Sequence, residues 1–245
     1  MARVARKIGF TGYYHVIMRG VGKQVLFECD RDFCYYIKLL QRYAQETGVD
    51  VCAYCLMENH VHLLVHDPDE ELSLFMKKLG VSYAWFFNKK YDRTGHLFQD
   101  RYISEAVETE SYLLTVFRYI LNNPSAAGIC PASEYLWSSY EKYGDPESFV
   151  NTKLLQRMLG DWESYAAFVS EKNKDQCMEY YLYQKEDGWI QDKIFDLLGV
   201  ESGTILKSYD RKNRNEALRK LKDAGLTIRQ IERHTGISKS IVQRA

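Results

Sequence analysis

Apolar and aromatic residues fill Tyr13 to Arg19 and stop at Gly20, a pattern that predicts a strand entering a turn. From Asp30 to Glu46, Phe33, Ile37, Leu40 and the pair Tyr43/Ala44 recur at three and four, as one buried helix face requires, and Gly48 ends the run. Val49 to Met57 and Val61 to Val65 are apolar runs separated by Glu58-Asn59-His60, which predicts an antiparallel pair joined by a tight turn. A long helical pattern follows from Leu72 to Tyr91, carrying Leu74, Phe75, Leu79, Ala84 and Phe87. The polar stretch Arg93–Tyr102 leads into a short strand, Tyr102 to Val107. A last helix, Glu110 to Asn123, has Leu113, Phe117, Ile120 and Leu121 on its apolar side and is expected to stop at Pro124. The order β-α-β-β-α-β-α predicts an α+β fold, a ferredoxin-like split βαβ sheet with helices on one face.

The turn-rich segment 142–150, with Gly144-Asp145-Pro146, reads as a domain boundary between residues 1–143 and a helical domain over 144–245. Near the end of that domain Glu216 to Ala224 stops at Gly225, and Thr227-Ile228-Arg229-Gln230 has capping-box order. Ser238 can cap a further helix after Thr235-Gly236-Ile237. This predicts a helix-turn-helix over about 214–245, with Lys239 and Arg244 on its last helix.

Composition narrows the class. A chain of 245 residues, 46% hydrophobic and 27% charged with 4 Pro and 15 Gly, can bury one large or two modest cores and is neither disordered nor fibrous. No run approaches the roughly 18 apolar residues of a membrane span, and the basic start lacks the apolar run of a secretory signal. With six Cys, this predicts a cytoplasmic protein with free thiols. Cys52 and Cys55, three apart on a strand, are expected on opposite faces and make a weak metal or redox pair.

The net charge of zero conceals an uneven distribution. Arg3, Arg6, Lys7, Arg19 and Lys23 give the first 27 residues about +5 with no acid. Residues 207–245 hold eleven Lys or Arg against Asp210, Glu216, Asp223 and Glu232, about +7. Basic ends around an acidic body suit a polyanion held at both ends, since phosphate contact follows local charge.

The chemistry sits in two groups. His60 and His62, two apart on a strand, project from one face, which is how a single strand presents two ligands to one divalent ion. His66 continues that face but lies too far along, at roughly 3.3 Å per residue, to share an ion with His60. Tyr119 and Asn123, four apart, share one side of the helix that precedes Pro124.

Taken together, the chain resembles the HUH single-tyrosine transposases and, within them, the REP-associated tyrosine transposases. The resemblance runs from Ala2 to about Tyr143. It rests on the opening Ala2-Arg3 and Arg6, Tyr14-His15-Val16 with Arg19-Gly20, Met57 with Asn59-His60-Val61-His62-Leu63-Leu64-Val65, Gly95-His96 with Gln99 and Arg101-Tyr102, and Arg118-Tyr119-Ile120 with Asn123-Pro124. Glu58 stands where the family usually has proline, and Ser125-Ala126 follow Pro124 where Val-Arg is common; neither change removes a catalytic group.

The resemblance implies Tyr119 as nucleophile and His60, His62 and Asn123 as protein ligands of Mg²⁺ or Mn²⁺. The scissile phosphate would take the open positions, and the tyrosine would remain attached as a 5′-phosphotyrosine. It also implies a substrate of single-stranded DNA with an adjacent hairpin, as in palindromic repeats, with duplex DNA a second partner for the helix-turn-helix. Arg3, Arg6, Arg19, Gln99, Arg101 and Arg118 are candidate DNA contacts beside Lys239 and Arg244, and Tyr13, Tyr14 and Phe98 are candidate stacking platforms. Monomer and homodimer both remain open. Two other readings also remain: a regulator that binds hairpin or duplex DNA without cutting it, and a metal-dependent nuclease that uses water.

Overall fold

The computed structural model describes residues 9–171, 173, 175, 177 and 189–245. The chain divides into two compact units, Met1–Cys177 and Met178–Ala245.

In the first unit β1 (Tyr13–Arg19), β2 (Asp50–Met57), β3 (His60–His66) and β4 (Ile103–Ala106) form one antiparallel sheet in the order β2-β3-β1-β4. Helix α1 (Asp30–Thr47) links β1 to β2, α2 (Leu72–Lys90) links β3 to β4, and α3 (Glu110–Leu121) follows β4. Strand alternation sorts the side chains into two layers. Tyr14, Val16, Met18, Val61, Leu63 and Val65 meet the apolar faces of α1 and α2, among them Tyr36, Leu40, Phe75 and Tyr83. Ala53, Cys55 and Leu64 meet Leu113, Val116, Phe117 and Ile120 of α3. The expectation of helices on one face is therefore corrected: α3 covers the second face. The physical reason is that β2 and β3 are buried on both sides, and an apolar strand needs cover on each.

Local chemistry sets the ends. Asp32 Oδ2 accepts the backbone N–H groups of Glu28 (2.9 Å) and Cys29 (3.3 Å) and closes the start of α1, whose end is the left-handed Gly48 (φ 73°). The β2–β3 connection is the two-residue turn Glu58-Asn59, with Met57 paired to His60. A bulge at Cys52, between the paired Val51 and Ala53, re-phases β2. Cys52 and Cys55 consequently share the α3 side rather than lying on opposite faces as expected; both are buried and free. Pro124 does not simply end α3. The helix breaks at Asn122, one residue earlier than the proline requires, and a short α4 (Asn123–Ala126) begins with the proline in its first turn, where no N–H is missed.

The boundary expected at 143/144 lies inside this unit. Asn151 donates its backbone N–H to Val51 O (2.7 Å), extending the chain along the β2 edge. Helices α5 (Lys153–Leu159) and α6 (Trp162–Ser170) then return over the α3 layer, where Tyr165 stacks on Tyr143 at 4.0 Å between ring centres and bonds Tyr140 O at 2.9 Å. A turn-rich sequence marks a surface loop here and not a break in the core.

The second unit holds α7 (Trp189–Leu198), α8 (Arg211–Asp223), α9 (Ile228–Thr235) and α10 (Lys239–Arg244) around Ile194, Leu218, Leu221, Ile231 and Val242. The reciprocal Thr227/Gln230 box at the start of α9 and the left-handed Gly236 (φ 63°) at its end are both present as read from the sequence. Among the described residues, no helix is long and apolar enough to cross a membrane.

Candidate active site

The site grows from the α3 face of the sheet. His60 and His62 share that face at the turn end of β3, with ring centres 5.0 Å apart. Opposite His60 in the register lies Arg19, and opposite Arg19 the loop after α2 is fastened by Gln99 N–H to Arg19 O (2.9 Å). His60, Arg19 and Gln99 therefore meet at one end of the sheet, with the exposed Arg101 following on the same loop. Gly20 makes this corner possible: its N–H bonds Asn59 O (2.9 Å), and a Cβ there would run into the Gln24 carbonyl oxygen.

Tyr119, half-buried on α3, sets its ring edge-on against His62 (5.8 Å between centres). Asn123 is tied back to it, Nδ2 donating to Tyr119 O at 3.1 Å, which leaves Oδ1 as the amide atom suited to an ion. His66 is elsewhere, stacked on Tyr13 (4.4 Å) with Nδ1 3.6 Å from Asp50.

One residue of this group was not singled out from the sequence as part of the site. His15, fully buried on β1, places Nε2 3.1 Å from His62 Nδ1 and its ring 6.0 Å from that of Tyr119. It lies opposite Leu64, and so diagonally from His62, within reach across an antiparallel pair. The signal was present in the sequence as Tyr14-His15-Val16; what was missing was the register between β1 and β3.

Three expected DNA contacts change. Arg118 is turned inward: Nε and Nη2 fork onto Asp175 (2.7 and 3.0 Å) and Nη1 reaches Glu171 (3.1 Å), so its donors serve an internal ion pair and not a phosphate. Tyr14 belongs to the α1–α2 core, its hydroxyl accepting Gly9 N–H (3.0 Å), and is no stacking platform. Phe98 packs against that same core. Arg3 and Arg6 lie outside the described residues. Lys239 and Arg244 are exposed on α10, in the second unit.

The donor set fits a divalent cation in one specific respect. Ligating histidines almost always use their second ring nitrogen in a hydrogen bond. His60 Nδ1 bonds Asn59 Oδ1 (2.7 Å) and His62 Nδ1 faces His15, so each ring offers Nε2. Among the described residues no group of three or more His, Cys, Asp or Glu is placed to hold a metal ion by itself. An ion on this histidine pair therefore takes its remaining donors from an amide, water or substrate oxygens, which suits a hard ion with open positions.

Comparison with known proteins places this geometry. A solved structure of a REP-associated tyrosine transposase bound to a REP hairpin superposes with a TM-score of 0.55 at 11% identity, covering 74% of this chain and 96% of that one. The two chains share a fold. A protein from Deinococcus radiodurans R1 described as a candidate transposase is 23% identical over 49% of this chain and 97% of its own, but at a TM-score of 0.35 it carries no argument. No curated protein matches the sequence. The profile of the IS200-like transposases matches residues 9–123, which include His15, His60, His62, Tyr119 and Asn123. Over this segment the chain is similar to the IS200-like transposases.

Proposed function

We propose that the protein cleaves and rejoins single-stranded DNA beside a hairpin through a covalent 5′-phosphotyrosine on Tyr119. The observation that carries this reading is the meeting of Tyr119 with His62 and His15 on the face that also presents His60. His60, His62 and Asn123 would hold Mg²⁺ or Mn²⁺, which supplies charge stabilisation for the scissile phosphate and the departing 3′-oxygen. Tyr119 Oη forms the new bond to phosphorus as the bond to the 3′-oxygen breaks, and the phenol proton passes through solvent to the departing 3′-oxygen, which leaves as a 3′-hydroxyl. The phosphodiester energy is retained, so a second 3′-hydroxyl can reverse the step without ATP. Half-burial of Tyr119 on a rigid helix beside fixed imidazoles favours attack by this ring over attack by water.

The strand order β2-β3-β1-β4 within β-α-β-β-α-β supports a ferredoxin-like HUH nuclease core. In the second unit, the capped α9, Gly236 and α10 support a helix-turn-helix that takes duplex DNA flanking the hairpin. The REP hairpin held by the superposed transposase favours palindromic repeats as this chain's single-stranded substrate. Arg19, Gln99 and Arg101 would contact that strand. Free thiols at all six cysteines suit action in a reducing cytoplasm.

The test is a denaturing gel with Mn²⁺ and single-stranded hairpin DNA labelled downstream of the cleavage point. A protein-linked band lost in Tyr119→Phe and in His62→Ala is the expected result. Cleavage without an adduct, retained by Tyr119→Phe, would identify a water-using nuclease. Binding without cleavage across a panel of hairpins would identify a regulator.

A further inference from the structure

The second unit contains an arrangement that its own stability does not explain. Arg211 and Arg214 occupy the first turn of α8, together with Lys212 and without any acidic residue. That end of a helix carries partial positive charge, and cations placed there are unfavourable by a few tenths to about 1 kcal/mol each. Asp210 serves as the helix cap, accepting the N–H groups of Lys212 (2.8 Å) and Asn213 (3.0 Å) and the Asn213 amide. Glu216 lies 3.5 Å from Lys220 instead.

Arg244, from the last turn of α10, joins the same place. Together Arg211, Arg214, Asn215, Ile241, Arg244 and Ala245 line an open hollow of about 250 Å³; none has an acidic side chain, and the Ala245 oxygen accepts from Arg219 Nε (2.6 Å). The Arg214 Nε is buried without a hydrogen-bond acceptor. A buried donor on a charged group is costly to leave unmade, so an acceptor arriving at Arg214 Nε would be favourable. Arg244 Nε is steadied by Ser240 O (2.9 Å), which leaves its terminal nitrogens for another partner. Three arginines and one side-chain amide line the same hollow, and the shared complement of such groups is an oxyanion.

We propose that this hollow seats a backbone phosphate of duplex DNA, with Arg211, Arg214 and Arg244 as its contacts and Ile241 lying against the sugar. The proposal deepens the reading of the second unit as a duplex-binding module and is independent of the chemistry at Tyr119. Because the contacts are to phosphate, they fix the position of the unit on the duplex without choosing a sequence.

The experiment is fluorescence anisotropy on the full chain in EDTA, with labelled 20-base-pair duplexes of two unrelated sequences titrated between 50 and 300 mM salt. Arg214→Gln is expected to lower the slope of log affinity against log salt by about 1, equally on both duplexes. Arg211→Gln/Arg214→Gln is expected to lower it by about 2. Arg214→Lys should keep the slope but bind more weakly, since an ammonium keeps the charge and loses the fork. Melting curves of each variant report whether the unit remains folded, and Arg244→Gln, on a different helix, supplies a second route to the same result. Duplex binding by the parent with unchanged slopes in all folded variants would overturn the phosphate seat while leaving the duplex-binding reading intact. Absence of duplex binding by the parent would overturn both.

Discussion

His15 on β1 and His62 on β3 face each other through Nε2 and Nδ1 at 3.1 Å, both rings fully buried. In the proposed metal site His62 would coordinate through Nε2 and carry its proton on Nδ1, which would make His15 the acceptor that fixes this tautomer. His15→Phe keeps a ring of similar size and removes the acceptor. The expected outcome is Mn²⁺ binding weakened about 10- to 100-fold, followed by electron paramagnetic resonance, with hairpin binding retained in EDTA. The nitrogen shifts of His62 should move from the Nδ1–H form toward a mixture of tautomers. Unchanged Mn²⁺ affinity in a folded His15→Phe would remove the positioning role, whereas unchanged affinity in His62→Ala would remove the metal reading itself.

Arg118 gives the opposite lesson. Next to the candidate nucleophile, a cation invites assignment to DNA, yet its fork closes on Asp175, whose side chain is 13% exposed against 14% for the arginine. Removing one partner of a buried pair strands the other, which costs about 3–5 kcal/mol when the pair is fully enclosed. Here Glu171 is 68% exposed and solvent softens the loss, so Arg118→Ala is expected to cost about 2 kcal/mol. Chemical denaturation should show the loss. The salt slope of hairpin binding should stay at the parent value; a drop of about 1 would return Arg118 to the DNA-contact set.

These two residues show what the sequence could and could not reveal. Elements defined by local periodicity were legible to within a residue or two: β1, α1, α2 and the capped start of α9 lie where apolar spacing and cap chemistry place them. So was the shared face of His60 and His62, because alternation along one strand is a local property. What escaped depends on partners far along the chain. His15 joins the site only through the β1–β3 register, 47 residues away, and Arg118 leaves it only through an acid 57 residues on. The bulge that brings Cys52 and Cys55 to one side inserts a residue without any mark in the sequence. The boundary at 143/144 failed for a related reason: Gly and Pro report a turn, while the packing of Tyr165 that holds the next segment to the core is non-local.

Gly20 bears on how the site corner is held. Its φ of −66° is ordinary, so strain is not the issue; the constraint is space, since the Gln24 carbonyl oxygen stands where a Cβ would be. A backbone atom cannot turn aside as a flexible side chain does. Gly20→Ala is therefore expected to destabilise by about 2 kcal/mol, in the range of overpacking, and to displace the turn that links Arg19 to His60 and Gln99. Hydrogen exchange should show faster opening at the amides of residue 20 and Gln99 with the centre of the sheet protected. A parent-like exchange pattern would mean that the turn after β1 absorbs the methyl group without disturbing the corner.

A further buried charge, Asp32, lies on the α1–α2 side of the sheet, and its pH dependence is testable without DNA. Asp32 is fully enclosed and is paired with Lys90, with its other oxygen accepting from Tyr91 Oη (2.6 Å) and the Glu28 N–H (2.9 Å). Burial pushes its carboxyl pKa up, but the Lys90, Tyr91 and backbone donors outweigh burial and hold the net value below the usual carboxylate range. A folded pKa below the unfolded one means that ionised Asp32 stabilises the fold above about pH 4, and that this contribution is lost as pH falls through the folded value. Asp32→Asn cannot bear the charge at any pH and leaves Lys90 facing a neutral amide. It is expected to be less stable than the parent by about 2–4 kcal/mol at pH 7, and the gap should narrow steadily below pH 4. Urea unfolding of the two proteins at pH 7, 5, 4 and 3 reads the gap directly. A difference that does not change with pH would assign the loss to the geometry of the amide and not to the charge of the carboxylate.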